Sequence, residues 1–412
     1  MSAAAARRRK QLAKKAALQT TDGIDPITKQ LNTLLSTTNV DSNGILPEST
    51  AYEALQLAQS QLRKCVKSGE YDKATGTYGH SVIVTLLEYK KAAVASQLMT
   101  LLVQTLVETH TECMEEWIGR IGQMQELYGP AVEAVESKIE QRRLMRLQAK
   151  FLKGALGWSA DLGSVRYGAC ELQKLLGDHY WSMAEIEAKG GEASEVAAPA
   201  EEDEEKDDFS LAALYSEAVT HLAMAEQPEG LLAKLKTLPD PTAAETKAGH
   251  DCPPSVRDSC LTRAILAMVT VENIRDAYTL LTSYLTECES RPLDELKTSY
   301  VNKKDGKAPS HVVFLSMLLS MVLKDKKTGP LYTWLLKSFN SELNKMHKPE
   351  MIKAYTSKIG RVYFDIMPPP SMLSTLENMM GMMGGGGLGG PGGMGGMNPA
   401  MMQAMMQNMG NM

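Results

Sequence analysis

The chain has 412 residues, is 43% apolar, 23% charged and 6% aromatic, and carries a net charge of -5. That is the composition of a soluble globular protein with a sizeable core, and it lacks the global basic field of a nucleic-acid binder. Six cysteines (Cys65, Cys113, Cys170, Cys252, Cys260, Cys288) occur without a C-x-x-C pair, which argues against a zinc site or a secreted disulfide framework and for reduced thiols in the cytosol.

Residues 1–46 open with basic charges only, Arg7 to Lys10, Lys14 and Lys15, and continue as a polar segment. They read as a disordered extension, with a transit peptide or a nuclear signal as alternatives for the basic start. Pro47, followed by Ser49 and Thr50, marks the entry to the first firm helix. Leu55, Leu62 and Val66 then share a face, Ser68-Gly69 breaks the pattern, and Tyr71, Ala74 and Tyr78 resume it, which predicts a helical hairpin. Val94, Leu98, Leu101 and Leu102 form an amphipathic stripe, as do Leu261, Ile265, Met268 and Val269. After a break at Glu272-Asn273, Ile274, Ala277, Tyr278, Leu281 and Leu285 continue the theme. The longest apolar run, Val312 to Leu323, ends at Lys324 and falls short of the ~18 residues a membrane span requires, so it predicts a buried helix.

Helical stripes with breaks between them, and no sustained period-two alternation, predict an all-α fold. A face of four buried aliphatic side chains gains roughly 6 to 12 kcal/mol, but an isolated hairpin would lose that to ordering entropy. Hairpins must therefore stack, giving an α-solenoid of the degenerate, tetratricopeptide-like kind, without the lettered signatures of regular repeats. The expected organisation is an N-terminal half over 47–189, an acidic disordered insertion over 190–208, a C-terminal half over 209–367, and a Pro/Gly/Met-rich tail over 368–412 with short amphipathic helices. The insertion would be a solvated linker or a contact for a basic partner. Residues 299–309, around Lys304-Asp305-Gly306-Lys307, are compatible with a small β-hairpin or a plain loop.

Motifs for catalysis do not emerge. There is no phosphate-binding loop, no H-E-x-x-H, and Gly157-Trp158-Ser159-Ala160-Asp161 lacks the last glycine of a nucleophile elbow. Asp178-His179 invites a general-base reading, yet Tyr180 and Trp181 beside it favour an aromatic packing cluster. His221, on a face with Ala218 and Leu222, reads as a hydrogen-bonded core histidine. No enzyme, cofactor or metal is expected. In the tail, Asn398-Pro399 followed by Met401, Met402, Met405, Met406 and Met409 spaces adaptable thioethers along one helical face. This is a candidate client- or co-chaperone-binding helix, similar to those of ubiquilin-type and Sti1-type chaperones, or a tail without function.

Several stretches carry a family resemblance in the right order. They are Tyr52-Glu53-Ala54-Leu55-Gln56 with Arg63 and Ser68-Gly69-Glu70-Tyr71, then Leu175-Leu176-Gly177-Asp178, Glu217-Ala218-Val219-Thr220-His221-Leu222, and Ile359-Gly360-Arg361-Val362-Tyr363-Phe364 with Pro368-Pro369 and a glycine run. Together, over roughly residues 47 to 385, the chain resembles the Golgi-to-ER traffic protein 4 family, a helical adaptor of the guided-entry pathway for tail-anchored proteins. Leu55, where relatives often have histidine, and Ser164-Val165-Arg166-Tyr167-Gly168, in place of Asp-Pro-x-Leu-His, depart from the family pattern.

The resemblance implies that N-terminal hairpins bind the tail-anchored-protein targeting ATPase and C-terminal hairpins a ubiquitin-like protein or a scaffold chaperone. By position, Tyr52, Glu53, Gln56, Arg63, Lys64 and Lys67 are the candidates for the ATPase. Phe314, Leu318, Trp334 and Leu335 are the candidates for the second partner, with half of them expected in the core. Two other functions remain open: a Met-rich client-binding co-chaperone, or a solenoid scaffold subunit of a large regulatory complex.

Overall fold

The structure, a computed structural model, describes residues 26–42, 44–189, 209–239, 255–289, 292–302, 311–324 and 326–367, with side chains for all of these except 299–302. The acidic insertion and the Pro/Gly/Met-rich tail therefore lie outside the described residues.

Order begins earlier than the sequence suggests. Pro26–Leu34 forms α1, whose Leu31 is buried, and Thr28 Oγ1 and the Tyr78 hydroxyl are hydrogen-bonded at 2.8 Å. One buried leucine in a polar stretch leaves almost no periodicity to read. α2, Glu48–Ser68, ends as predicted. Gly69 takes φ 79°, the left-handed conformation that glycine adopts without steric cost, and the amides of Gly69 and Glu70 close on the carbonyls of Val66 and Cys65. The return arm of the hairpin is a π-helical segment, Lys73–His80, running directly into α3, Ser81–Glu88. Ala74 and Tyr78 are buried there while Tyr71 faces solvent.

The array continues through α4 (Ala92–Glu108), α5 (Glu115–Glu133), α6 (Lys138–Leu162) and α7 (Cys170–Lys189). It resumes with α8 (Leu211–Met224), α9 (Pro228–Thr237), α10 (Val256–Thr270) and α11 (Ile274–Glu287). α12 (Leu293–Asn302), α13 (His311–Val322), α14 (Gly329–Ser338), α15 (Asn340–Asn344) and α16 (Pro349–Phe364) complete it. Serines or an asparagine cap four of these helices: Ser137, Ser210, Ser255 and Asn273 each accept a backbone N–H from the first turn.

Each helix packs on near neighbours in sequence, α2 on the π segment and α4, α4 on α6, α6 on α7, α7 on α8 and α8 on α10. This is the stacked-hairpin solenoid the apolar pattern requires, and among the described residues there is no strand. The β-hairpin considered for 299–309 is contradicted in part: residues 299–302 are the last turn of α12, and 303–309 lie outside the described residues.

α7 and α8 join directly across the acidic insertion, so the two halves form one array. Their approach is set by Gly177. A Cβ there would sit 2.7 Å from Leu222 Cγ and 3.0 Å from the Leu222 backbone nitrogen, a contact that only glycine avoids. This gives a physical reason for the glycine in Leu175-Leu176-Gly177-Asp178.

α10 departs from the one-sided stripe read in its sequence. Every residue of it except Val256 and Ser259 is buried, because α8, α11, α13 and α16 surround it. Two of its polar members find partners on α13 and in the turn before α16. Thr262 Oγ1 shares a hydrogen bond of 2.9 Å with His311 Nδ1, and the Arg263 guanidinium donates to the His347 carbonyl. Tyr278 of α11, read as part of an apolar stripe, is instead 54% exposed.

Candidate functional surfaces

At 3.6 residues per turn, Tyr52, Glu53, Gln56, Arg63, Lys64 and Lys67 fall within an arc of about 120° on α2. All six are exposed. The opposite side of the helix buries Ala51, Ala54, Leu55, Ala58, Gln61, Leu62 and Cys65, so these letters divide cleanly between core and surface. The face is graded along its length, with Tyr52 and Glu53 near the start and three cations in the last turns. Leu55 is core. Exposed Tyr71, just past the Gly69 turn, adds an aromatic side chain that the sequence reading placed on an apolar face.

The second set of candidates separates differently. Phe314, Leu318 and Leu335 are fully buried, and Phe314 packs its ring 5.3 Å from that of Phe339. Those three are corrected to core residues. Burial of α13 on α10, α12 and α14 takes up its apolar face. Trp334 alone stands out, 54% exposed on α14, with Leu331 one turn before it equally open. An exposed i, i+3 pair of large apolar side chains presents a compact hydrophobic surface. Leu331 was missed because its letter is the same as that of a core leucine. The methionines Met401, Met402, Met405, Met406 and Met409 lie outside the described residues.

The histidines singled out in the sequence are structural. His179 Nε2 is 2.8 Å from the Met145 carbonyl, and burial, only partly offset by that bond, pushes its pKa down to about 4. Asp178 points elsewhere, pairing with Lys234 at 3.0 Å, so Asp178 and His179 do not form a couple. His221 Nδ1 meets Gln173 Oε1 at 2.7 Å, and its ring stacks on Tyr180 at 6.1 Å. Burial lowers its pKa to about 4, outweighing the favourable charge of Glu217.

Around His221 a polar seam ties α16 back to the middle of the array. Lys348 Nζ reaches Glu217 Oε1 at 3.1 Å, and Lys358 Nζ reaches the Tyr167 hydroxyl at 2.9 Å while lying over that ring. Tyr167, in the Ser164-Val165-Arg166-Tyr167-Gly168 stretch, thus supplies a cross-array contact.

The described residues thus define an α-solenoid with two separate exposed faces, a charged one on α2 and an apolar one on α14. The chain belongs to the Golgi to ER traffic protein 4 (GET4) family, whose model matches residues 68–384. It is similar to Protein GET4 of Arabidopsis thaliana, with 23% identity over 318 residues that cover 73% of this chain and 82% of the relative. A crystal structure of C. therm. Get4 shares the fold, with a TM-score of 0.50 and 19% identity, covering 90% of this chain and 98% of that one. Family membership places the chain in Golgi-to-ER traffic. Among the described residues no helix is long and apolar enough to cross a membrane.

Proposed function

We propose that this chain is a non-catalytic cytosolic adaptor in the post-translational targeting of tail-anchored membrane proteins to the endoplasmic reticulum. It bridges a targeting ATPase, held on the α2 face, and a ubiquitin-like or scaffold co-chaperone, held through Trp334 on α14.

The observation that carries this reading is the clean separation on α2. Six side chains of mixed aromatic, polar and charged character are all exposed on one arc while the other side is core. A solvated helix needs no aromatic on its outer face, whereas an interface gains from one flanked by charge. Trp334 with Leu331 offers a second, chemically different face near the other end of the helix order. A stacked-hairpin array holds two such faces in a fixed relation, which is what a bridge between two proteins requires.

The test is a pull-down from cytosol with the full chain as bait, with and without nucleotide, followed by mass spectrometry. Recovery of a targeting ATPase together with a ubiquitin-like protein or its scaffold supports the adaptor role. Recovery of neither sinks it, and binding that depends wholly on residues 384–412 would favour a client-binding chaperone instead.

A further inference from the structure

α6 carries a second charged face. Lys138, Arg142, Arg143, Arg146, Lys150 and Lys153 share an arc of about 140° at 3.6 residues per turn, and Glu140 and Asp161 are the only acids on the helix. Cations four apart on a helix repel one another, so a stripe of this kind calls for a compensating anion. Local carboxylates meet part of the stripe: Arg142 pairs with Glu187 at 3.3 Å, Arg143 with Glu140 at 3.5 Å, and the Lys153 charge acts on Glu217. Arg146 lies 4.6 Å over the ring of Phe209, and Lys153 lies 5.6 Å over Tyr180.

Those contacts fix where the chain leaves and re-enters the array. Glu187, two residues before the end of α7, is held on the stripe by Arg142, and Phe209, just before α8, is held on it one turn further along by Arg146. The sequence joining them ends in Glu201-Glu202-Asp203-Glu204-Glu205-Lys206-Asp207-Asp208. Asp208 is covalently next to Phe209, so its Cα is within about 3.8 Å of the Phe209 Cα. An extended run of this length spans about 24 Å at roughly 3.4 Å per residue, and from Arg146, where Phe209 is held, the stripe runs only about 12 Å to Lys138 and about 10 Å to Lys153 at 1.5 Å per residue.

We propose that the α6 basic stripe is a docking surface whose occupant is this chain's own acidic run, residues 201–208, laid along α6 from its anchor at Phe209. Charge complementarity, sufficient reach and the tether together favour this occupant over a separate acidic partner, because the tether raises the run's effective concentration at the stripe to the millimolar range. The contact is electrostatic and surface-exposed, so salt weakens it.

The test is zero-length carbodiimide coupling of carboxylates to lysine amines in the full chain, read by mass spectrometry on a mixture of isotopically light and heavy protein. Coupling between Lys234 and Asp178 and between Lys348 and Glu217, 3.0 and 3.1 Å apart, serves as an internal control that the chain is folded. The proposal expects intrachain coupling of residues 201–208 to Lys138 on one side of Arg146 or to Lys150 and Lys153 on the other, falling at least fivefold in 1 M NaCl while the controls persist. In Arg143→Glu/Arg146→Glu, which leaves every reactive amine in place, the same couplings should also fall at least fivefold. With the controls intact, coupling of the run only to lysines elsewhere, only between light and heavy chains, or not at all overturns the proposal.

Discussion

Lys348 Nζ lies 3.1 Å from Glu217 Oε1, joining the start of α16 to the middle of α8 across 131 residues of sequence. Burial pushes the Glu217 carboxyl up, but the hydrogen bond and charge of Lys348, aided by His221 and Lys153, outweigh it and hold the group below its ordinary value. A carboxylate whose folded pKa is depressed stabilises the fold above its unfolded pKa and loses that contribution as pH falls through the folded value. Both side chains are about one-third exposed, which limits the pair to about 1 kcal/mol. Glu217→Gln should lower stability by about that amount at pH 7 and by less below pH 4, as measured by urea unfolding at the two pH values.

The buried histidines set a second pH dependence. Burial holds both His179 and His311 at about 4. Because the unfolded chain binds a proton near pH 6.5 and the folded chain does not, stability falls as pH drops from 6.5 towards 4. At pH 5 each histidine costs about 2 kcal/mol relative to pH 7. His311→Gln, which keeps a polar partner for Thr262, should flatten this slope by about one histidine's share. An unchanged slope in urea titrations at pH 7 and pH 5 would contradict the assignment.

Gly177→Ala tests the α7 and α8 contact. The added methyl meets both the side chain and the backbone of Leu222, and backbone cannot move aside cheaply, so the substitution should destabilise by about 2 kcal/mol. Gly230→Ala, where a Cβ would make only an ordinary contact with Gln227 at 3.9 Å, should be neutral or slightly stabilising. Equal thermal shifts for the two variants would mean that the helices are not as close as described.

Phe314→Ala and Trp334→Ala separate core from surface. The first removes a fully buried ring and should cost about 3 to 5 kcal/mol. The second removes a half-exposed one and should change stability by no more than about 1 kcal/mol. Thermal unfolding of the two proteins checks the ordering.

Much of the fold was legible because an amphipathic helix writes its buried face at period 3.6 and a left-handed glycine marks its end. Val94, Leu98 and Leu102 are buried as their spacing predicts, and Gly69 ends α2 where Ser68-Gly69 breaks the pattern. α10 was read as half-exposed because four spaced apolar residues are visible while burial of Thr262, Arg263 and Thr270 depends on partners far away in sequence. The same limit applies to the candidate surfaces. Exposed polar residues on α2 follow directly from its apolar stripe, but Phe314, Leu335 and Trp334 are all large apolar letters. Only the packing of α13 on α10 and α14 distinguishes the two core members from the exposed one.

Reciprocal loss of binding with purified components tests whether two separate faces hold two different partners. Affinities of the full chain for the targeting ATPase and for the ubiquitin-like or scaffold co-chaperone would be measured for wild type, Arg63→Glu/Lys64→Glu/Lys67→Glu and Trp334→Ala. A two-faced adaptor should show at least tenfold weaker ATPase binding for the triple variant with co-chaperone binding retained, and the reverse for Trp334→Ala. Wild-type protein that binds neither partner, or variants that keep both affinities unchanged, would contradict it.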